Sequence, residues 1–142
     1  MAQQPSPIKL FQIEEPDGAP EANDGLGMAV GIELSKTRGV AVAASVGGNA
    51  ELLVRPEPGG IVGTLDEKAL MGLLRDMRSL AEKAVAQPVT HAVIRIDGFD
   101  LADHAVLRSA AGAEIALLGI KRDGSVLDAA VEAEDLAAFL SN

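Results

Sequence analysis

The sequence predicts an α/β domain with a mixed five-stranded sheet, element order β-β-β-α-β-α-β-α, and helices flanking the sheet. Three observations carry this expectation. From residue 28 onward, short stretches alternate large apolar residues with small or polar ones, the period of a strand. After residue 64 the period lengthens to that of an amphipathic helix. Helix-like and strand-like stretches then alternate toward the C-terminus, the pattern that places crossovers on a sheet.

The elements follow in order. Residues 1–27 hold Pro5, Pro7, Pro16 and Pro20 among clustered Glu and Asp, and read as an acidic, largely disordered leader. One apolar island interrupts it at residues 8–13. Leu10 and Phe11 suit a free tail poorly, so the island is expected to dock, on its own domain in preference to a partner. Residues 28–142 then form a single domain. Val30, Ile32 and Leu34 alternate with Ala29, Gly31 and Glu33 in a first strand. Residues 39–45 form a second, and residues 50–55 a third after the turn at Gly47, Gly48 and Asn49. Pro56, Pro58, Gly59 and Gly60 break the sheet. Thr64 and Glu67 have capping-box spacing and open a helix to about residue 86, with Leu70, Leu73, Leu74, Met77, Leu80, Ala81 and Ala84 on one face, closed by Pro88. A fourth strand spans residues 90–97. Asp100 is expected to cap a short helix ending at Gly112, and residues 114–120 form a fifth strand. Asp123 and Gly124 allow two readings: a tight hairpin into a sixth strand from Ser125, or one helix over residues 126–140 packing Leu127, Val131, Leu136 and Phe139. The helix is preferred, at least from Glu132. Three antiparallel strands followed by α/β crossovers is the ribonuclease H-like arrangement, which is also the core of each actin-like lobe.

Composition narrows the functions available. The chain has 142 residues, enough for one domain with a single core. Aromatic residues make up only 2%, so the core must be aliphatic and alanine-rich, and stacking platforms for single-stranded nucleic acid are missing. A net charge of -9 disfavours nucleic-acid backbones and anionic membrane surfaces. There is no cysteine, which removes disulfides, thiolate ligands and thiol nucleophiles together. No secretory signal and no apolar run of membrane-spanning length is visible, and a cytoplasmic location is expected.

Residues 28–42, M-A-V-G-I-E-L-S-K-T-R-G-V-A-V, have the form of the phosphate-binding hairpin of actin-like ATPases, which runs G-I-D-L-G-T-T. Glu33 stands at the Asp position, Ser35 at the Gly and Lys36 at the first Thr; Thr37 alone is kept. The L-F-Q-I-E-E-P of residues 10–16, an acidic spacer, and A-V-G-I-E-L at residues 29–34 resemble the start of heat-shock-70 chaperones of the HscA type, which serve iron–sulfur cluster assembly. L-D-E-K-A-L at residues 65–70 and V-T-H-A-V-I at residues 89–94 resemble the helix and strand of the first ATPase lobe. Residues 93–99 stand where that family has a strand ending in V-P-A-Y-F, and Ala110, Ala111 and Gly112 match the end of the next helix. The family's inserted subdomain, with its catalytic Lys, is replaced by a few residues between Gly60 and Thr64. Its N-E-P-T-A-A segment with a catalytic Glu is replaced by Lys121, Arg122, Asp123, Gly124 and Ser125.

The resemblance therefore implies a truncated first lobe with an altered turn. It implies Glu33, Ser35, Lys36 and Thr37 as a vestigial phosphate hairpin. ATP with Mg²⁺ is the group such a hairpin would take, but Ser35 adds a side chain where the backbone must approach a phosphate closely. No catalytic residue, resident cofactor or metal is expected. A non-catalytic binding or accessory role is expected instead, with a protein partner: a cochaperone, an iron–sulfur assembly factor or a second copy. The alanine-rich residues 129–139 are the surface expected to serve as the interface.

Two other readings use the same residues. A ribonuclease H-like nuclease or small nucleotide hydrolase would pair Glu33 with Asp97 and take a third acid from Asp66, Glu67 or Asp100. The charge balance argues against a nucleic-acid substrate. The other alternative is a structural subunit of a larger assembly. A structural role for Glu33 is more specific. The first and fourth strands are neighbours in this topology, and Arg95 is an unusual cation within the fourth, so an ion pair between Glu33 and Arg95 is expected on the sheet. His91 and His104 are expected to be structural or solvated, and Ser45, Ser109 and Ser125 lack a nucleophile-elbow context. Lys68, Arg75, Asp76, Arg78, Glu82 and Lys83 read as a solvated helix face.

Overall fold

A computed structural model of the chain describes residues 27–56, 61 and 65–140. The expected leader island, Thr64 and most of the segment joining the third strand to the first helix lie outside the described residues. Five strands form one sheet in the order β3-β2-β1-β4-β5. They are β1 (Met28–Ser35), β2 (Gly39–Val46), β3 (Asn49–Val54), β4 (Val89–Asp97) and β5 (Ala116–Lys121), with α1 (Glu67–Val85), α2 (Asp103–Gly112) and α3 (Val126–Leu140). The first three strands are antiparallel, while β4 runs parallel to β1 and β5 parallel to β4.

Both faces of the sheet are covered, and the two faces differ in chemistry. Val30, Ile32, Leu34, Val42, Ile94 and Ile96 point toward α1 and α2, where Leu70, Leu74, Val106 and Ala110 complete the main core. On the opposite face Ala29, Gly31, Ala41, Ala43 and Val93 meet α3 through Ala129, Ala130 and Ala133. Small residues on both partners bring this helix unusually near the strand. A Cβ on Gly31 would lie 2.5 Å from the Ala130 nitrogen and 2.8 Å from the Val126 carbonyl oxygen. Burial on both faces explains why β1 carries no exposed residue after Met28.

Several expectations are corrected here. Helix α1 starts at Glu67, and its N-cap is Asp66, whose Oδ1 accepts from the Ala69 amide at 2.8 Å. The sequence T-L-D-E offers two capping residues, and the carboxylate immediately before the helix takes the role. Glu67 turns to Arg108 in a two-pronged ion pair at 2.6 and 2.9 Å. Asp100 does not cap α2, which begins after Ala102 without a side-chain cap. Strand β5 begins two residues later than expected because Glu114, at φ 63, turns the chain first. Three of the charges expected to be solvated have structural partners: Glu82 accepts from the Val89 amide at 2.9 Å, Arg75 donates to the Gly112 carbonyl at 3.1 Å, and Arg78 to those of Ala113 and Glu114 at 3.0 and 3.3 Å. These arginines satisfy carbonyls that the end of α2 leaves open.

Of the two C-terminal readings, the helix is the one observed, and it starts earlier than Glu132. Ser125 and Asp128 cap it reciprocally, the Asp128 amide donating to Ser125 Oγ at 3.2 Å and the Ser125 amide to Asp128 Oδ2 at 3.1 Å. The alanine face of residues 129–139 is not an open interface. Ala129, Ala130 and Ala133 are buried against the domain's own sheet, while Leu127 and Phe139, expected to pack, are exposed, as is Leu140.

Candidate functional site

The polar cluster of the domain lies where β1 and β4 end, on the face covered by α3. Its composition follows from strand period and register. Glu33 and Ser35 are two residues apart on β1 and share a face, as do Arg95 and Asp97 on β4. The parallel register sets Glu33 opposite Arg95 and Ser35 opposite Asp97. Burying Glu33, Ser35 and Arg95, with Asp97 half-buried beside them, is costly unless each finds a partner.

Each does. Arg95 Nη1 donates to Glu33 Oε1 at 2.9 Å, and both side chains are more than nine-tenths buried. Arg95 Nε also donates to the Asp123 carbonyl at 3.0 Å, tying the β5–α3 connection to the pair. The second Glu33 oxygen faces Arg38 Nε at 3.4 Å, and Arg38 Nη2 lies 3.5 Å from Asp97 Oδ2. The Glu33 hydrogen bond and charge, with a smaller contribution from Asp97, raise the Arg38 guanidinium above its ordinary range. Two carboxylates and two guanidiniums thus balance one another, with Arg38 bridging Glu33 and Asp97.

The turn between β1 and β2 is closed by the same residues. Ser35 Oγ donates to Asp97 Oδ2 at 2.9 Å and accepts from the Arg38 amide at 3.0 Å. The Lys36 amide donates to the Asp97 carbonyl at 2.9 Å. Ser35 is fully buried, whereas Lys36, Thr37 and Arg38 are exposed. Of the four residues expected to form a phosphate hairpin, Glu33 and Ser35 are therefore committed inward and Lys36 and Thr37 face outward. Beside them opens a shallow cleft of about 380 Å³, lined by Glu33, Arg38, Arg95, Leu52 and the first turn of α3.

Mg²⁺ or two catalytic metals are the groups the hairpin and nuclease readings would place here, and the residues do not fit them. Glu33 and Asp97 do reach one face, but Arg38 stands between them and Arg95 occupies the inner side, so a divalent cation would meet two fixed positive charges. Asp66 and Glu67 belong to α1 on the other face of the sheet. Among the described residues no group of three His, Asp or Glu side chains is placed to hold a metal ion. His91 sits at the start of β4 with its Nδ1 2.7 Å from Thr90 Oγ1, and burial lowers its pKa.

Two contributors were not visible in the sequence. Arg38 reads as an ordinary turn charge, and only the folded hairpin brings it back over Glu33. Glu134, on α3, accepts from Ser45 Oγ at 2.7 Å and from the Gly47 and Gly48 amides at 2.6 and 3.0 Å. It pins the β2–β3 turn to the helix that covers the cluster. No sequence signal distinguishes it from its neighbour Asp135.

No protein-family model and no curated protein matches the chain. Among solved structures, the ethanolamine utilization protein EutJ from Carboxydothermus hydrogenoformans matches with a TM-score of 0.50 and 16% sequence identity. The match covers 67% of this chain and spans 36% of that one. The likeness is one of fold, and the mixed five-stranded sheet with flanking helices expected from the sequence is the one observed. No helix among the described residues is long and apolar enough to cross a membrane.

Proposed function

We propose that this chain is a non-catalytic binding or accessory protein built on one actin-like lobe, working through its surfaces and not by turning over nucleotide. The observation that carries the reading is the double commitment of the hairpin. Its one carboxylate, Glu33, is bonded to Arg95 and Arg38, and its Lys36 and Arg38 amides are bonded to Asp97 and Ser35. A phosphate-binding turn needs unengaged amides aimed at the anion, and a metal-water site needs a carboxylate with a free oxygen.

The partner is a protein. The finer setting, a cochaperone or an iron–sulfur assembly factor, rests on the resemblance of residues 10–16 and 29–34 to HscA-type chains, and the cytoplasm is the compartment it implies. Titration calorimetry of the full chain with ATP and ADP, each with and without Mg²⁺, tests the central claim. The expected result is no saturable heat up to millimolar ligand, with circular dichroism unchanged. Saturable binding abolished by Lys36→Ala would overturn the proposal and return the hairpin to a nucleotide role.

A further inference from the structure

The two edges of the sheet are not alike. Both β3 and β5 carry a bulge, at the register shifts facing β2 and β4. Strand β3 also bears the exposed Glu51 and runs into Arg55 and Pro56, the usual devices that deter strand addition. Strand β5 reads A-L-L-G-I-K and has no charge before its last residue. Its side chains leave an open, mostly apolar cleft of about 440 Å³ against α2, lined by Leu107, Leu117, Leu118, Gly119 and Ile120, with Asp103 and His104 at the start of α2. Leu107 is 54% exposed in the middle of α2. Both sides of the edge are apolar, since Leu117 and Ile120 join the core under α2 while Leu118 packs with Leu136 of α3.

We infer that this edge is the docking site of the chain's own residues 8–13, I-K-L-F-Q-I, added as a sixth strand beside β5. The length and origin of the outlying chain make this occupant the fitting one. The described chain begins at Gly27, whose amide donates to Thr90 Oγ1 at 2.8 Å, so the leader departs from the end of the sheet where β4 begins. There β5 also begins, Ala116 standing opposite His91. A strand outside β5 lies three strand spacings from β1, about 14 Å. The thirteen residues 14–26 reach as far as about 43 Å, so the tether spans the gap with slack.

The segment also suits the position. It equals β5 in length and puts apolar side chains on both faces, Ile8 and Leu10 on one and Phe11 and Ile13 on the other, as an edge flanked by α2 and α3 requires. Tethering makes the contact intramolecular, with an effective concentration in the millimolar range. A second apolar hollow among the described residues, near Val40, Val54, Met77 and Leu80, is already lined by Ile61 and lies on the far side of the sheet order from β5.

Hydrogen exchange on the full chain tests this. Amides of residues 116–121 should exchange roughly tenfold or more slowly in the unaltered chain than in a Leu10→Asp, Phe11→Asp variant, with β1 unchanged between the two. A spin label at Lys9→Cys, unambiguous in a chain without cysteine, should broaden β5 resonances and spare β3. Equal exchange at 116–121 in both proteins would overturn the inference, as would broadening centred on β3. Protection that grows with protein concentration, alongside a dimer in light scattering, would assign the edge to a second copy and equally overturn it.

Discussion

Glu33 and Arg95 stand directly opposite in the β1–β4 register, and their side chains meet at 2.9 Å beneath α3. Removing one partner strands the other as a buried, uncompensated charge, which costs far more than the pair contributes. Glu33→Ala should therefore lose about 3–5 kcal/mol in chemical denaturation, and the double variant Glu33→Leu, Arg95→Met should be clearly more stable than the single. A loss below about 1 kcal/mol for Glu33→Ala would mean that water or Arg38 already satisfies the cluster.

Gly31 marks the nearest approach of α3 to the sheet. No positive φ is at issue here; the position is glycine because helix backbone occupies the space of a Cβ. Gly31→Ala should cost about 1–3 kcal/mol by overpacking, and Gly31→Val more. The added methyl must lift α3, so amide exchange in residues 126–133 should accelerate before that in α1. Unchanged stability in Gly31→Ala would show that α3 can shift on the sheet without loss.

How much of this was legible beforehand depended on whether a residue's partner is fixed by period and register. Glu33 and Arg95 were readable because Glu33 is the lone ionisable residue of β1 and Arg95 the lone guanidinium of β4, and topology makes those strands neighbours. The strands of the first hairpin were readable for the same reason. Helix α3 was ambiguous because Asp123 and Gly124 have hairpin chemistry, and an alanine-rich face gives little amphipathic contrast. Its real start signal was the Ser125–Asp128 spacing. The same alanines look like an interface in sequence because nothing there reveals that β1 and β2 present Ala29, Gly31, Ala41 and Ala43 to receive them. Arg38 and Glu134 were out of reach, since both act across turns whose geometry exists only in the folded chain.

Ser35 stands where the hairpin expected from the resemblance would carry glycine, and its hydroxyl closes the turn. It links Asp97 to the Arg38 amide. Ser35→Ala removes both bonds and should cost about 1–3 kcal/mol. Ser35→Gly, which restores the ATPase-type residue, should be at least as destabilising and should confer no ATP binding in calorimetry, because Arg38 and Arg95 still hold the carboxylates. Acquired Mg²⁺-dependent ATP binding in Ser35→Gly would instead make Ser35 the sole block.

Glu134 should give the domain an acid-sensitive clasp. The Ser45 hydroxyl, followed by the Gly48 and Gly47 amides, favours the carboxylate and lowers its pKa from the ordinary value of 4.5. A carboxyl with a depressed folded-state pKa contributes its stabilisation fully above the unfolded value. As pH falls below that value the unfolded chain takes up the proton first, so the contribution drains away until the folded-state pKa is passed. Glu134→Gln keeps the shape and removes the charge. The unaltered chain should therefore melt above Glu134→Gln at pH 7, with the gap narrowing steadily below pH of about 4.5. Since α3 covers the Glu33–Arg95 pair, exchange in the β2–β3 turn and the first turns of α3 should rise over that same acid window. A gap between the two proteins that stays constant through acid would mean that the three hydrogen bonds form as well to a neutral group, and that Glu134 holds the turn by shape alone.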